Sequence, residues 1–391
     1  MDYGLTEDQQ MIREAAGVFA DEQIKPQGEA IEYDTSRLAY LVRAAGKLGF
    51  LGMCLPEDIG GIGADTVSFA LAVEAFSKAD ASFGSYLIIH NALIGEALMH
   101  ADQREVVVPW LEDLTTGDVH GAFAGISHTG DKITVSQDGT DCSVQGRHKM
   151  VTGAGVSQFL LVQARSATSD TPACALLLMP KETSGLEIGE IQKTLGLRGA
   201  ACAPVVFDNL LLPQTQMISA TDQAAEIVQE METFAGIGVA AQALGLAEAA
   251  CEAANEYAGM RQQFGEPIRR FQAIAFMLAE MQTAIEAARH MPYNAAWLRD
   301  QGKDSCIASA QARLYAVGMV NQVTNTALQM HGGVGYIREY PVERHFRDAR
   351  MLGIIGGPTD VQKRIIGKEL MKDTDKMAEL PGDRLLSVIM G

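Results

Sequence analysis

The spacing of apolar residues changes twice along the chain, and each change closes off a set of folds. Up to about residue 118 the spacing is helical. Thr6 is followed by Glu7 and Asp8, with Gln9 in the third position, the arrangement of a capping box. Met11, Ile12, Ala15, Val18 and Phe19 then line one face of a predicted helix. Further helices are predicted over about 36–48 and 65–78, separated by the turn-rich Leu55-Pro-Glu-Asp-Ile-Gly-Gly-Ile-Gly63. Over about 119–215 the period shortens. Ile133-Thr-Val-Ser136 alternates, Phe159-Leu-Leu-Val-Gln163 and Ala175-Leu-Leu-Leu-Met179 are β-rich, and Gly, Asp and Pro separate them. From about Asp222 helical spacing returns, with long helices predicted over 226–259, 268–301 and 305–330 and a last one from Thr359. Helices, then strands, then helices predict an α+β chain. Its parts are an N-terminal helical domain (1–118), a small, mostly antiparallel β-domain (119–222) and a four-helix-type C-terminal domain (223–391).

Charge narrows the partners. The formal net charge is −18 over 391 residues, which argues against nucleic acid or an anionic membrane as the main partner. The 6 cysteines (Cys54, Cys142, Cys174, Cys202, Cys251 and Cys306) form no Cys-x-x-Cys pair and meet no histidine at metal spacing. They read as reduced thiols of a cytoplasmic protein with no metal site. The first residues have neither a basic nor an apolar leader region, and no uncharged run is long enough to span a bilayer.

The chemistry-bearing stretch lies in the last third. A predicted helix runs through Gln329 into Gly332, Gly333 and Gly335, followed by Glu339-Tyr-Pro-Val-Glu-Arg344 and Arg347-Asp-Ala-Arg350. Glycines at a helix end let backbone N–H groups approach an anion. Upstream lie Tyr257-Ala-Gly-Met-Arg-Gln-Gln-Phe-Gly265, with Gln272 just beyond it, and Lys193-Thr-Leu-Gly-Leu-Arg-Gly199. An arginine offers a fixed fork of donors for a pyrophosphate.

Taken together, these strings resemble the acyl-CoA dehydrogenase family over essentially the whole chain. The 55–63 turn is similar to that family's Pro-Glu-x-x-Gly-Gly-x-Gly loop. The resemblance implies an FAD cofactor contacted by Arg261, Phe264, Gln272, Gln329, Gly332, Gly333 and Thr359, several of these across a subunit boundary, and hence a homo-oligomer, a tetramer. It implies an acyl-CoA substrate and electron-transferring flavoprotein as electron acceptor. Near the flavin ring the match loosens. Ser127 and Thr129 offer hydroxyls in a shortened loop, Thr152 is kept, and Met150 stands where the family usually has Trp.

The largest departure concerns the catalytic base. Members of the family use a glutamate to remove the α-proton of the thioester, and aligning Arg347-Asp-Ala-Arg350 puts Gly356 at its position. The backbone N–H there, which in the family polarises the thioester carbonyl, survives the loss of the side chain. A minority of members carry the base on an earlier helix, where this chain has Ala or Gly and where Glu230 and Glu232 lie about a turn away. In the cyclohex-1-ene-1-carbonyl-CoA dehydrogenase subgroup the base is an aspartate near the position of Asn91. Asn91 is isosteric with aspartate but accepts no proton at neutral pH, whereas the adjacent His90 has a suitable ordinary pKa. The resemblance therefore leaves three readings open: oxidation of a cyclic or conjugated acyl-CoA, a non-catalytic partner subunit, or other chemistry on a CoA thioester.

Overall fold

A computed structural model of the chain describes residues 4–125, 132–167 and 174–378. Helix α1 (Glu7–Phe19) starts at the predicted box. Thr6 Oγ1 accepts from the Gln9 N–H at 3.2 Å, and Gln9 Oε1 accepts from the Thr6 N–H at 3.0 Å. The two bonds satisfy donors that a helix start leaves orphaned. A short α2 (Gly28–Ile31) and α3 (Thr35–Lys47) follow, then α4 (Thr66–Ala79), capped by Asp65. α4 is buried on almost every face, so it shows little amphipathic stripe. Phe19, Phe50, Phe76 and Phe83 pack around its end, with Phe50 and Phe76 centroids 4.9 Å apart and edge-on.

The apolar stretch after α4 forms α5 (Ala81–Ile88) and continues without a break through the π-helical Ile89–Gly95 into α6 (Glu96–Met99). α7 (Arg104–Thr116) ends the N-terminal helices at Gly117, whose φ of +73° suits glycine.

The middle of the chain forms an 8-stranded sheet. Its strands are β1 (Gly121–Ala124), β2 (Ile133–Asp138), β3 (Asp141–Val151), β4 (Phe159–Ser166), β5 (Cys174–Pro180), β6 (Leu186–Ile188), β7 (Ala203–Pro213) and β8 (Met217–Ala220). The main path is β6-β7-β3-β2-β4-β5-β8, and β1 pairs with β4. Pairing is antiparallel except where β4 meets β1 and β2, so the mostly antiparallel prediction describes the sheet. One face packs on the helices through Phe159, Leu161, Leu176 and Leu178, while Leu160, Val162, Leu177 and Phe207 join a second cluster within the sheet domain.

Four long or moderate helices follow. They are α8 (Thr221–Met260), α9 (Gln272–Asp300), α10 (Cys306–His331) and, after α11 (Val342–Leu352), α12 (Thr359–Ala378). α8 packs against α4, α9 and α10. It is the one helix among the described residues long and apolar enough to cross a membrane, and 83% of its most apolar window is buried inside the protein. This is an α+β fold of N-terminal helices, a central sheet and C-terminal helices.

The three regions are tied at one junction. Asp348 on α11 accepts the Leu197 N–H at 2.6 Å, and Arg347 bonds the Leu195 carbonyl at 3.0 Å and pairs with Glu32 at 2.8 Å. A Cβ on Gly196 would lie 2.2 Å from the Arg347 carbonyl oxygen, so only glycine allows this approach. The Arg-Asp pair and the Gly-Leu-Arg-Gly turn thus join the regions to each other.

Candidate active site

α8 and α10 run side by side. The Ser309 hydroxyl donates to the Thr233 carbonyl at 2.7 Å, and a Cβ at Gly236 would meet Ser309 Oγ at 2.4 Å. One turn after Ser309 on the same face of α10 stands Arg313, only 4% exposed. Its guanidinium grips the loop between α11 and α12, donating to the carbonyls of Ile355, Gly356 (3.1 Å) and Gly357 (2.8 Å). Burial pushes the Arg313 pKa down to about 10, against an opposing pull from Glu232. Gly356 sits at φ +64°. Its neighbours Ile355 and Gly357 donate their N–H groups to Met351 and Ile354, whereas the Gly356 N–H makes no hydrogen bond among the described residues.

Glu232 on α8 faces this arrangement. It is solvent-exposed, yet the protein packed around its carboxyl raises its pKa while Arg313 lowers it. Glu230, two residues earlier, is instead paired with Arg299 at 2.9 Å.

Asn91 is enclosed at 1% exposure, and its amide is fully used. Nδ2 donates to the Phe50 and Leu87 carbonyls at 2.9 and 3.1 Å, and Oδ1 accepts the Cys54 N–H at 3.3 Å. That geometry pins the π-helical segment to the loop after α3. His90 is fully buried, with neither ring nitrogen hydrogen-bonded, and burial beside His120 pushes its pKa down to about 3. Its imidazole is neutral and a weak base. Tyr86, His90 and His120 stand mutually edge-on with ring centroids 6.0 to 6.5 Å apart.

The expected cofactor residues fall into two places. Thr152 is half-buried at the end of β3, beside an exposed Met150, and Gly153 follows at φ +83°. Ser127 and Thr129 lie outside the described residues. The others gather at the far end of the C-terminal helices. Tyr257 near the end of α8 stacks on His331 at the end of α10, with centroids 4.4 Å apart, and this brings Arg261 and Gln329 to one end of the bundle. Between α8 and α9, strands β9 (Gln262–Gln263) and β10 (Glu266–Pro267) form a hairpin whose two turn residues, Phe264 and Gly265, both have positive φ. The turn throws the Phe264 ring out of the protein, 95% exposed. Arg261, Gln272, Gly332 and Gly333 are also exposed, and a Cβ on either glycine would meet nothing within 4 Å. A guanidinium, two amides, an aromatic ring and an open glycine turn fit a dinucleotide, and these residues are the ones that would hold its phosphates and adenine end. Thr359 is the first residue of α12, three residues beyond Gly356.

Three family models together match most of the chain. Residues 6–118 match the acyl-CoA dehydrogenase N-terminal domain, 124–210 the middle domain and 225–371 the C-terminal domain. A short-chain specific acyl-CoA dehydrogenase of Clostridium acetobutylicum is 31% identical over 95% of this chain and 100% of its own length. The solved butyryl-CoA dehydrogenase of Megasphaera elsdenii superposes with a TM-score of 0.88 at 30% identity, over 95% of this chain and 100% of that one. A chain solved in work on the electron transferring flavoprotein of Acidaminococcus fermentans gives 0.89 at 32% identity, over the same shares. The chain belongs to the acyl-CoA dehydrogenase family, enzymes acting on the CH–CH group of CoA thioesters, and FAD is its cofactor.

Arg313 was not singled out by sequence reasoning. Its signal was a lone cation within the small-residue stripe Ser309, Ala310, Ala312 and Ala316 of a predicted buried helix. His120 was missed as well, because its neighbours Tyr86 and His90 are some thirty residues away in sequence.

Proposed function

We propose that this protein interconverts a short-chain acyl-CoA and its α,β-unsaturated thioester, with the thioester carbonyl seated at Gly356. The observation that carries the reading is the free Gly356 N–H, on a loop whose three flanking carbonyls are held by one buried guanidinium. A fixed, unpartnered donor of this kind stabilises an enolate oxygen as charge develops on it. Bound FAD supplies the two-electron redox chemistry. Chain length follows from packing. Between α5 and α8, a Cβ at Gly238 would meet Ile88 at 2.9 Å and Phe69 at 3.2 Å, so little space remains there for a long acyl tail. The names of the clostridial and Megasphaera relatives support the same choice. The cyclic-substrate reading rested on Asn91 or His90 as base, and the engaged amide and the neutral imidazole speak against both. The open Arg261–Phe264 surface supports a homo-oligomer in which each subunit covers its neighbour's FAD, and the Acidaminococcus relative supports an electron-transferring flavoprotein as redox partner.

Anaerobic addition of butyryl-CoA to the FAD-loaded protein tests this. The visible flavin band bleaches with butyryl-CoA, and cyclohex-1-ene-1-carbonyl-CoA has a smaller effect. Bleaching by the cyclic thioester alone would reverse the substrate assignment. A full complement of FAD that neither thioester bleaches would favour a non-catalytic partner subunit.

A further inference from the structure

We propose that Glu232 is the group that exchanges a proton with the α-carbon of the bound thioester, in place of the side chain absent at Gly356. The inference rests on the thioester reading above and names the acid–base residue of that site. Among the described residues, burial holds the carboxyl groups of Glu74, Asp80, Glu232, Asp300 and Asp348 above their ordinary range. Four of them are committed to the fold. Glu74 is bonded by Arg289 and by the Tyr293 hydroxyl at 2.5 Å. Asp80 accepts the Phe83 N–H at 2.9 Å, Asp300 the Thr66 N–H at 2.7 Å, and Asp348 the Leu197 N–H at 2.6 Å. Glu232 and Asp300 are the solvent-exposed members of the five, and of these two Glu232 is the one whose carboxyl makes no hydrogen bond among the described residues.

Placement agrees with chemistry. Glu232 precedes Thr233, whose carbonyl is bonded to Ser309, and Arg313 stands one turn beyond Ser309. Arg313 in turn holds the Gly356 loop, and its Nη1 would lie 3.5 Å from a Cβ at Gly356. The Glu232 carboxyl and the Arg313 guanidinium act on each other electrostatically, and Arg313 bonds the Gly356 carbonyl, which links the carboxyl to the Gly356 loop through one cation. In the step assigned here a Glu232 oxygen takes the α-proton. The C–H electron pair stays on the substrate as the thioester enolate, whose oxygen meets the Gly356 N–H. Charge moves from carboxylate to enolate and none is created. Arg313 acts as a positioning residue, and its charge opposes the effect of burial and favours the ionised form of Glu232.

Acetyl-CoA has α-hydrogens and no β-carbon, so it reports this step without flavin reduction. The FAD-loaded full-length protein is incubated with acetyl-CoA in deuterium oxide, and deuterium entering the methyl group is followed by mass spectrometry. Wild type exchanges; Glu232→Gln is at least about 100-fold slower with equal FAD content. If Glu232→Gln loses FAD or does not fold, Glu232→Asp decides. It keeps a carboxylate one methylene short and exchanges about 10- to 100-fold more slowly than wild type. Exchange within threefold of wild type in Glu232→Gln, or in the substituted Glu232→Asp, overturns the assignment. Butyryl-CoA bleaching separates the two readings. A Glu232→Gln protein that bleaches as fast as wild type places the base elsewhere and leaves the thioester reading intact. A wild type that neither exchanges nor bleaches overturns both.

Discussion

Replacing Arg313 with methionine separates its two roles, holding a loop and biasing a carboxylate. The guanidinium makes three charge-assisted bonds to the carbonyls of Ile355, Gly356 and Gly357, each contributing about 1.5–3 kcal/mol. Against this stands the cost of burying the cation. The downward shift of its pKa to about 10 corresponds to roughly 3 kcal/mol. Bonds that share one group are not additive, so the net loss for Arg313→Met is about 2–4 kcal/mol, concentrated in the loop. Amide hydrogen exchange reads it locally. The Ile355 and Gly357 N–H groups, which bond to Met351 and Ile354, lose about 30- to 1,000-fold in protection, while the sheet amides of β4 and β5 change little. The Glu232 pKa rises further once the cation that lowers it is gone, so the pH at which α-proton exchange reaches half its maximum moves up. Unchanged protection at Ile355 and Gly357, or a uniform loss across the sheet, would refute the loop-holding argument.

Three further outcomes follow from the same contacts. Asp348 has a folded pKa of about 7 against 3.8 in the unfolded chain, because of its burial and then the neighbouring Asp80, while the Leu197 N–H and Arg344 pull it down and Glu32 raises it. The folded state binds the proton more tightly, so this stabilisation is complete below about pH 4 and is lost as pH rises through 7. Asp348→Asn gains on wild type by about 2–3 kcal/mol between pH 5 and pH 8, read from chemical denaturation at the two pH values. Asn91→Asp places a carboxylate against the Phe50 and Leu87 carbonyls and removes both donated bonds, so the thermal midpoint falls, with a loss of about 3–5 kcal/mol, and no α-proton exchange is gained. Phe264→Ala changes the stability of the FAD-free chain by less than about 0.5 kcal/mol, since the ring is 95% exposed, yet it weakens retention of FAD on desalting at least tenfold.

Local features were legible in the sequence and distant ones were not. The Thr6 box depends on residues three apart, so it could be read directly. The helix–sheet–helix order survived because periodicity accumulates over many residues. The engaged amide of Asn91 left no trace in the sequence, because its partners at Phe50, Cys54 and Leu87 are backbone groups and two of the three are brought to it by tertiary packing. Glu232 looked weak for a related reason. α8 is packed by neighbours on several sides, so its pattern marks no single inner face and gives no sign of which glutamate interacts with Arg313. The Leu197–Asp348 tie spans 151 residues and leaves no local trace.

The geometry also argues that a carboxylate introduced at 356 would not act as a free base. A side chain there would start 3.5 Å from the Arg313 Nη1, within reach of a cation already committed to the adjacent carbonyls. Such a pair lowers the carboxylate pKa and weakens it as a base. The backbone at φ +64° adds strain of about 1 kcal/mol or more for any residue with a Cβ. Gly356→Glu is therefore expected to pair with Arg313, to loosen that residue's grip on the Ile355 and Gly357 carbonyls, and to slow acetyl-CoA exchange below wild type even with Glu232 present. Combined with Glu232→Gln it gives no rescue. Rescue in that double variant would show that Arg313 leaves a carboxylate at 356 free to act.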